Sequence, residues 1–585
     1  MRGSDIIVEM LVAYGVEYVF GVPGDTSIRL YDSLHERRDV ITHVLARDER
    51  SAAFMADTYA RLTGRPSVCE SPSGAGALYT VPGVAEANAS SVPVIALTSG
   101  IDLASEYKGV ITELDHHMLY KTITKWSTFM KRYDKIPDTL RRAFRVATTG
   151  RPGAVHIAFP QEVLNAEIPG GEEDIYAEDA CRFYPTFRVR CEQSEVDRAA
   201  EFLVAAKRPV IVAGGGAINA RAWHELTELA ELLDAPVGTS ISGKGAIAET
   251  HPLAIGVVGD NGYRDYANDL VAEADLLFYV GNKTGSVTTI RWTLPHHENP
   301  PRIVQLDIDP QLIGNNYPTE VGLVGDAKLI LADLVAAVRE RAPRPRPAVA
   351  ARIAGLRAAW WKSQAAAMES DQTPIKPQRV MAALRRVLPE DAVVIADAGT
   401  PTPYVSAFLE IPRPGRQVII PRAYGGLGYA IPAVVGAALA RPGQAVVGLC
   451  GDGSFGMSAG ELETLGRLGL PVVIVNFNNR SFGWIKALQS IHSDGRYLGV
   501  DFSGSDHAAI ARACGMEGIR VDVATDLEDA LAGALAAGRP TLVDVSTESE
   551  EKDLPPVKSW RDVEASRRFE SGYTDPKGGS SWQEL

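Results

Sequence analysis

Short apolar runs alternate with longer amphipathic stretches along most of the chain. In residues 4–165 the runs YVFG and VPVIALTSG flank the stretch DERSAAFMADTYARLTG, whose apolar positions recur with helical spacing and which ends on a glycine. Continuous Val, Ile and Leu runs are typical of parallel strands buried on both faces, and glycine commonly ends a helix. The pattern therefore predicts repeated strand–helix–strand units.

The same alternation returns twice, in residues 208–340 and 380–548. A chain of 585 residues exceeds a single hydrophobic core, since domains usually hold about 100–200 residues. We therefore expect an α/β protein with three doubly wound parallel-sheet domains and a C-terminal tail. The predicted boundaries are 1–167, 190–340 and 372–550, with the tail at 551–585.

The stretches between the predicted domains differ in composition from the domains themselves. Residues 168–187 are acidic and residues 341–352 are rich in proline and arginine, as expected of interdomain linkers. The tail carries many polar, Gly, Ser and Pro residues, so we expect a surface strap or a partly disordered segment.

Composition and charge exclude several classes of function. With 45% hydrophobic and 23% charged residues the chain is typical of globular proteins, and its net charge of -14 offers no basic surface for nucleic acid or an anionic membrane. Five scattered cysteines without a C-x-x-C pair predict neither disulfides nor a zinc site, and they fit a reducing cytoplasm. No apolar run reaches the ~18 residues of a membrane span, and we expect no signal peptide.

The strongest chemical signal lies in the third segment. The run GDGS at 451–454 follows the apolar run AVVGLC. Asn478–Asn479 follow the run PVVIVNF, and 24 residues separate them from Gly453. Glycines let the backbone approach phosphate oxygens, and carboxylate and amide oxygens suit Mg²⁺ or Ca²⁺. An isolated GDG is also compatible with a tight turn that carries a capping Asp, whereas the pair of motifs is more specific.

The two motifs together resemble the cofactor-binding motif of thiamine diphosphate-dependent enzymes. The resemblance implies that Asp452 and Asn479 bind Mg²⁺ through their side chains and Ser481 through its backbone carbonyl. It further implies that the cofactor contacts the remaining residues of the motif, namely Gly451, Gly453, Ser454, Phe482 and Gly483. Thiamine diphosphate and Mg²⁺ are therefore the expected cofactors.

Nearly the whole chain is similar to the acetohydroxyacid (acetolactate) synthase-like group of this superfamily. The similarity lies in GVPGDTSIRLYD and TITKWS of the first segment and in DAGTPTPYVSAFL and GGLGYAIPAVVGAALARP of the third. It implies a pyrimidine-binding domain, a central Rossmann-like domain and a diphosphate-binding domain, in that order. Gly74, Gly399 and Thr400 would lie in loops that contact the cofactor.

Glu49 matches the glutamate that hydrogen-bonds the aminopyrimidine ring of the cofactor in this group. The thiazolium C2–H is a very weak acid, and a carboxyl that exchanges a proton with ring N1′ lets the aminopyrimidine act as the base. We expect a raised pKa for Glu49, because it lies among the apolar residues Ala53, Phe54 and Met55. The local sequence alone would favour a first-turn helix carboxylate after an Asp48 cap.

The resemblance assigns two further residues in the run GGLGYAIP. Leu427 occupies the position of the bulky wedge over which the cofactor folds, where many relatives have methionine. Gly425 would offer its carbonyl to the 4′-amino group. A leucine in this run is also compatible with an ordinary core position.

The chain departs from the group at residues expected to face the substrate. Thr112 stands where a glutamine often faces the reacting substrate, Trp484 would lie beside C2, and Leu488 replaces a tryptophan that shapes the acceptor pocket. Asp25 and Thr26, after the first PG turn, are further candidate contacts. These differences argue against a standard branched-chain amino-acid enzyme.

The pair His116–His117 is similar to the double histidine of pyruvate decarboxylases, but it lies much closer to the TIT run than in that group. Ile485 stands where those enzymes have a catalytic glutamate, so the usual proton donors of an aldehyde-forming decarboxylase are missing. His116 is therefore either a substrate contact or an ordinary histidine that satisfies local hydrogen bonds.

The central segment resembles the FAD-binding domain of acetohydroxyacid synthases. Its glycine run at 214–216 follows a strand, and GNKTGS at 281–286 stands where the flavin enzymes have the basic stretch GARFDDR. The arginines of that stretch are absent here, which argues against FAD. Three alternatives stay open for the ligand of the central domain, namely FAD, another nucleotide or no ligand. The glycine run is also compatible with close strand–helix packing.

The resemblance implies a thiamine diphosphate- and Mg²⁺-dependent enzyme that decarboxylates or cleaves a 2-oxo acid and transfers the acyl unit to a second carbonyl. The alternative is a carbon–carbon lyase, decarboxylase or dione hydrolase of the same superfamily that acts without ligation. A non-catalytic relative is disfavoured, because Glu49, Asp452 and Asn479 are all present. In this group Glu49 of one subunit meets the diphosphate domain of another, so we expect a homodimer or homotetramer in the cytoplasm.

Overall fold

The computed structural model describes residues 1–168, 174–296 and 300–570, with side chains through residue 566. Within these ranges the chain forms three six-stranded sheets whose neighbouring strands pair in parallel. The predicted α/β class with three doubly wound parallel sheets is confirmed. Residues 169–173 of the first predicted connector and 571–585 of the predicted tail lie outside the described residues.

The N-terminal sheet is covered by apolar side chains on both faces. Alternate strand residues belong to two separate apolar clusters, Val68 and Ile95 to one and Cys69 and Ala96 to the other. The strands are β1 (Tyr18–Gly21), β2 (Thr42–Leu45), β3 (Ser67–Ser71), β4 (Val94–Gly100), β5 (Trp126–Phe129) and β6 (Val155–Pro160), in the spatial order β2-β1-β3-β4-β6-β5. The helices are α1 (Gly3–Ala13), α2 (Ile28–Glu36), α3 (Glu49–Thr63), α4 (Ala75–Ala89), α5 (His116–Lys121), α6 (Ile136–Thr148) and α7 (Gln161–Asn165).

The central sheet repeats this architecture. Its strands are β7 (Pro209–Ala213), β8 (Val237–Thr239), β9 (Ala254–Val257), β10 (Leu276–Val280), β11 (Arg302–Asp307) and β12 (Val321–Val324), in the order β12-β11-β10-β7-β8-β9. Its helices are α8 (Gln193–Ala205), α9 (Gly215–Ala220), α10 (Trp223–Leu233), α11 (Asp265–Ala272) and α12 (Ala327–Glu340).

The C-terminal sheet has the order β14-β13-β15-β16-β18-β17, with the strands β13 (Val393–Ala396), β14 (Val418–Ile419), β15 (Val446–Gly451), β16 (Val472–Asn478), β17 (Glu517–Val521) and β18 (Thr541–Ser546). The helices before and between these strands are α13 (Ala348–Met368), α14 (Pro377–Val387), α15 (Pro401–Phe408), α16 (Ala430–Ala440), α17 (Asp452–Ser458), α18 (Glu461–Leu468), α19 (Gly483–His492), α20 (His507–Ala513) and α21 (Leu527–Ala536). The last described helix is α22 (Lys558–Glu570).

The connector predicted at 341–352 is shorter than its composition suggested, because α13 already begins at Ala348. This helix is rich in alanine, the strongest helix former, and it buries Trp360 against Phe408 with ring centroids 5.4 Å apart. Neither α13 nor any other helix in the described ranges has both the length and the apolar character that a membrane crossing requires.

The described part of the tail packs against two domains. The Ser559 amide and hydroxyl donate to the Asp260 carboxylate at 2.7 and 3.0 Å, which ties the start of α22 to the central domain. Trp560 is buried against Trp484 of α19, with ring centroids 4.3 Å apart, and Leu554 belongs to the same apolar cluster. This segment therefore bridges the central and C-terminal domains.

The N-terminal and C-terminal domains contact each other directly through α3 and α16. A Cβ atom at Gly436 would lie 2.2 Å from the Met55 carbonyl oxygen, so this approach requires glycine. The Tyr429 hydroxyl donates a hydrogen bond to the buried Asp57, which also pairs with Arg61 at 2.8 Å. The helix that begins with Glu49 is thus fixed against the domain that carries the GDGS motif.

Candidate functional site

Four neighbouring strands of the C-terminal sheet end at one edge. Strands β13, β15, β16 and β18 lie side by side, and the carboxyl ends of adjacent parallel strands form the usual ligand crevice of such sheets. The segments that follow them contain residues 397–400, 451–454, 478–483 and 547–550. The predicted motif residues therefore share one crevice with the residues after β18.

Asp452 begins α17 and is buried. Its Oδ1 accepts a hydrogen bond of 2.9 Å from the Gly453 amide, whereas Oδ2 has no hydrogen-bond partner among the described residues. Burial raises the pKa of Asp452 to about 6, although backbone N–H groups of Arg480 and Ser481 oppose the shift. An unpartnered buried carboxylate oxygen is costly, so the site favours a cation beside Asp452.

Asn479 is held from two sides. Its Oδ1 accepts hydrogen bonds from the Ser481 amide at 3.0 Å and from the Ser481 hydroxyl at 3.1 Å. Its Nδ2 donates to Glu550 Oε2 at 2.6 Å. These contacts fix the side-chain amide in one orientation, with Oδ1 and Nδ2 facing opposite partners.

No motif pointed to Glu550, which follows β18. The side chain is 1% exposed, and its Oε1 has no hydrogen-bond partner among the described residues. Burial raises the pKa of Glu550 to about 7, the Asp452 charge adds to this effect, and the Thr400 hydroxyl opposes it. The sequence gives one indication that Glu550 belongs to the site, namely its position after a central parallel strand. The neighbouring residues Glu548 and Glu551 share that position, so the sequence does not single out Glu550.

Two motif glycines stand where no side chain fits. A Cβ atom at Gly453 would lie 2.5 Å from the Phe482 ring, and one at Gly483 would lie 1.7 Å from Glu550 Oε2. Gly451 ends β15, and Ser454 is buried in the first turn of α17. Glycine at these two positions therefore makes room for the Phe482 ring and the Glu550 carboxylate, which pack directly against the backbone of the crevice.

The residues predicted from the DAGT and GGLGYA runs, namely Gly399, Thr400, Gly425 and Leu427, lie on a second side of the crevice. A Cβ atom at Gly399 would lie 3.5 Å from Leu427 Cδ2, so these two residues are neighbours. Thr400 is buried just before α15, and Gly425 has a φ of 70°, a conformation that favours glycine.

Glu49 is the first residue of α3, and the Asp48 side chain caps this helix by accepting a 2.8 Å hydrogen bond from the Arg50 amide. Burial raises the pKa of Glu49. A Cβ atom at Gly76 would lie 2.9 Å from Glu49 Oε1, so the carboxyl faces the first turn of α4. Glu49 is thus both a capped helix start and a carboxyl with a perturbed pKa.

Glu70 is a second buried carboxyl in the N-terminal domain that no motif indicated. It lies in β3 with 1% exposure, and its Oε1 has no hydrogen-bond partner among the described residues. Burial raises the pKa of Glu70 to about 8, and the Glu49 charge adds to the shift. A single charged residue in an otherwise buried strand, SVCES, was the available sequence signal.

Thr112 lies against the loop that contains Gly74. A Cβ atom at Gly74 would be 2.8 Å from Thr112 Cβ, and the Ser73 hydroxyl donates to the Thr112 carbonyl at 2.7 Å. The Thr26 hydroxyl accepts a 3.0 Å hydrogen bond from the Ser73 amide, whereas Asp25 is exposed. The structure therefore joins Thr112, Gly74 and Thr26 in one loop cluster.

His116 begins α5 and is buried, and both of its ring nitrogens have partners. Nε2 lies 3.2 Å from Ser73 Oγ, and Nδ1 lies 2.7 Å from Thr98 Oγ1. Because Ser73 gives its hydrogen to Thr112, Nε2 of His116 is the donor and Nδ1 the acceptor. Burial lowers the pKa of His116 to about 4. This arrangement favours a neutral histidine that satisfies internal hydrogen bonds.

Trp484 and Leu488 lie on α19 and pack in the apolar cluster formed with the tail. The Trp484 side chain is half-buried by its contact with Trp560. Ile485, between them, is exposed. The position of the Trp484 side chain is therefore set by α22 as well as by its own helix.

The central glycine run has a packing role. A Cβ atom at Gly214 would lie 2.2 Å from the Gly281 carbonyl oxygen, and one at Gly216 would lie 2.7 Å from Gly281 Cα. Beside this contact is a cavity of ≈ 420 Å³, a volume in the usual range of small-molecule sites. Its lining includes the basic residues Arg151 and Lys283 and the acidic residues Asp307 and Asp326, so the cavity carries charges of both signs.

The crevice residues fit a divalent cation. Asp452 Oδ2 and Glu550 Oε1 are unpartnered, and a cavity of ≈ 600 Å³ opens beside Asp452 and Gly453. Within the described part of the chain, no group of three or more His, Cys, Asp or Glu side chains is placed to hold a metal. Amide, carbonyl and ligand oxygens would therefore complete the coordination.

Comparison with known proteins matches three family models along the chain. Residues 1–119 match the thiamine pyrophosphate enzyme N-terminal TPP binding domain, residues 196–334 the central domain, and residues 397–545 the C-terminal TPP binding domain. Each match contains one of the three sheets or most of it.

Similar proteins cover nearly the full length. A probable acetolactate synthase large subunit of Methanocaldococcus jannaschii is 35% identical over 554 residues, which cover 93% of this chain and 92% of the relative. The acetolactate synthase isozyme 3 large subunit of Escherichia coli is 32% identical over 95% of this chain and 96% of its own. An acetolactate synthase of Mycobacterium bovis is 30% identical over 98% of this chain and 93% of its own.

Proposed function

This chain belongs to the acetolactate synthase-like group of thiamine diphosphate-dependent enzymes, and we propose that it transfers an acyl unit from a 2-oxo acid to a second carbonyl compound. It is thus an enzyme, a thiamine diphosphate-dependent carboligase. The observation that carries the proposed site is that Asp452 and Glu550, at the carboxyl ends of the parallel strands, each have a buried carboxylate oxygen without a hydrogen-bond partner among the described residues.

We assign Mg²⁺ to the side chains of Asp452 and Asn479 and to the Ser481 carbonyl. The bound cofactor supplies an acidic carbon, C2, that adds to carbonyl groups. The residues proposed to hold its diphosphate are Gly399, Thr400, Gly451, Gly453, Ser454, Phe482 and Gly483. Their support is their position at the carboxyl ends of β13, β15 and β16 and the N-terminus of α19, which begins at Gly483.

Glu49 is the proposed proton carrier beside the aminopyrimidine ring. A half-buried carboxyl with a raised pKa holds and releases a proton more readily near neutral pH than an exposed one. Gly425 would accept a hydrogen bond from the 4′-amino group, Leu427 would hold the folded cofactor, and the Gly74 loop would border it. The neighbouring positions of Gly399 and Leu427 support this assignment.

For the substrate we propose contacts with Thr112 and Trp484, which lie in the two clusters described above. His116 acts on the site through Ser73, because both of its ring nitrogens are engaged. For the ligand of the central cavity we propose the same three alternatives, namely FAD, another nucleotide or no ligand. Flavin absorbance and analysis of small molecules released from the purified protein distinguish them.

We propose a homodimer or homotetramer in the cytoplasm. Apolar side chains next to several site residues are exposed on the single chain, namely Leu78, Tyr79, Ile111, Met457 and Ile485. Exposed apolar groups of this kind are typical of contact surfaces. The mass of the purified protein in solution tests this assignment.

Product analysis tests the proposed reaction. The protein is incubated with thiamine diphosphate, Mg²⁺, pyruvate and a panel of other 2-oxo acids. An acetohydroxyacid or acyloin supports ligation, whereas a free aldehyde or acid supports the lyase, decarboxylase or hydrolase alternative.

The variant Glu49→Gln tests the mechanism. We expect a loss of about 10²–10⁴-fold in turnover, because a proton carrier is removed while fold and oligomer are kept. The control is Glu17→Gln, which removes an exposed carboxyl paired with Arg65 and should keep wild-type turnover. Full activity in the Glu49 variant would contradict the mechanism.

A further inference from the structure

Glu550 reaches into the proposed cation site from the loop after β18. Its Oε2 accepts a hydrogen bond of 2.6 Å from Asn479 Nδ2, and its Oε1 has no partner among the described residues. The carboxylate lies so close to the start of α19 that a Cβ atom at Gly483 would meet it at 1.7 Å. Glu550 is therefore part of the crevice itself and not of its rim.

Glu550 and Asp452 are two buried carboxyls that influence each other. Each is buried and has one oxygen without a hydrogen-bond partner among the described residues, and both follow strands that end at the same edge of the sheet. Two negative charges in one buried crevice repel each other, and a divalent cation removes that repulsion. The pair therefore provides a stronger reason for a cation than the motif residues alone.

Glu550 also determines which atom of Asn479 can face a cation. An asparagine side chain binds a hard cation through Oδ1 and not through Nδ2. Because Glu550 accepts the Nδ2 hydrogen, Oδ1 is turned to the opposite side, next to the Ser481 amide and hydroxyl. Hydrogen-bond partners that orient a metal ligand in this way commonly contribute about 10–100-fold to metal affinity.

We propose that Glu550 is a positioning residue of the divalent-cation site, which orients Asn479 and adds the second negative charge that retains the cation. This inference rests on the proposed cofactor site and adds an acidic residue from outside its sequence motif. It also explains why a carboxyl is buried without a basic partner at the end of β18.

The test is the affinity of the full-length protein for Mn²⁺, used in place of Mg²⁺, measured by electron paramagnetic resonance with thiamine diphosphate present. In Glu550→Gln we expect the Kd for Mn²⁺ to rise by about 10–100-fold. The matched control is Glu548→Gln, since Glu548 is in the same loop but pairs with Lys376 at 2.8 Å. Its Kd should equal that of the wild type.

Glutamine preserves the shape of Glu550, so the variant should fold. The substitution removes one of the two negative charges buried in the crevice, and the other is that of Asp452. We therefore expect metal-free Glu550→Gln to unfold at or above the wild-type temperature. A lower unfolding temperature together with an unchanged Kd would assign Glu550 a structural role only and overturn the proposal.

The outcomes separate this inference from the proposed reaction. If the wild type binds Mn²⁺ but forms no ligation product, the proposed reaction fails, and the Kd of Glu550→Gln still decides the role of Glu550. If the variant keeps the wild-type Kd, the role of Glu550 fails whatever the products are. If the wild type binds no Mn²⁺ with the cofactor present, both fail.

Discussion

The Tyr31 hydroxyl donates a hydrogen bond of 2.7 Å to Glu70 Oε2 within the N-terminal domain. The same hydroxyl lies 2.9 Å from His43 Nε2, and burial lowers the pKa of that histidine to about 4. Glu70 itself is a largely neutral acid at neutral pH, because burial raises its pKa to about 8. A buried acid of this kind makes the stability of the fold depend on pH.

Glu70→Gln should remove that pH dependence. Between pH 4.5, the ordinary value, and pH 8 the folded state holds a proton on Glu70 that the unfolded state has lost. The contribution of Glu70 to wild-type stability therefore falls as the pH rises, by about 1.4 kcal/mol per pH unit over this window. Urea unfolding at a series of pH values measures the slope. Parallel slopes in the two proteins would refute the assignment.

Thr98→Val should destabilise the N-terminal domain. The Thr98 hydroxyl lies 2.7 Å from His116 Nδ1 and 2.9 Å from His156 Nε2, so valine leaves two buried ring nitrogens unsatisfied. We expect a loss of about 1–3 kcal/mol in unfolding free energy, which Thr98→Ser should largely restore.

The control for this experiment is Thr148→Val. The Thr148 hydroxyl is also buried, but it donates to a carbonyl of its own helix, Phe144, at 2.8 Å. Its loss should cost less, because the helix already satisfies that carbonyl. Equal losses of unfolding free energy in the two variants would show that the Thr98 contacts with His116 and His156 stabilise the fold no more than an ordinary hydroxyl–carbonyl hydrogen bond does.

Gly483→Ala should abolish Mg²⁺-dependent binding of thiamine diphosphate. The added Cβ atom would collide with Glu550 Oε2 and lie 2.5 Å from Asn479 Nδ2, so the amide could not keep its orientation. Gly533→Ala is the matched control, since nothing lies within 4 Å of a Cβ atom there. Isothermal titration gives the affinity, and normal binding by the Gly483 variant would disprove the close approach.

Asp57→Ala should weaken the contact between the N-terminal and C-terminal domains. It removes the nearer of two acidic partners of the buried Arg61, at 2.8 Å, and leaves Glu86 at 3.9 Å. Breaking a buried ion pair typically costs about 3–5 kcal/mol. Removing the exposed Glu17–Arg65 pair by Glu17→Gln should cost about 0–1 kcal/mol. Thermal unfolding compares the two, and a similar shift for both would contradict the importance of burial.

The sheets and the motif part of the crevice could be predicted from local patterns. Continuous apolar runs predicted parallel strands, because strands that are buried on both faces have no solvent-exposed positions for polar residues. The GDGS run and Asn479 could be placed together because adjacent parallel strands end at one edge. The connector before α13 was predicted too long, because charged and proline residues at its start concealed an alanine-rich helix.

The acidic residues of the site could not be predicted, because their burial is a tertiary property. Glu548, Glu550 and Glu551 look alike in the sequence, yet only Glu550 is 1% exposed and contacts Asn479. The hydrogen-bond partner of Glu70 is Tyr31, which lies on a different element, so the sequence around Glu70 does not reveal this contact. The contact of Trp484 with Trp560 likewise depends on where the tail returns.

The bridge made by α22 has a consequence for how the protein is synthesised. Residues 554–566 leave the ribosome after every element that they clamp, including α19 and the Asp260 loop. A nascent chain can therefore form the strands of all three sheets before α22 packs on the Trp484 side of α19. The cover over Trp484 is thus completed only after α22 has been translated.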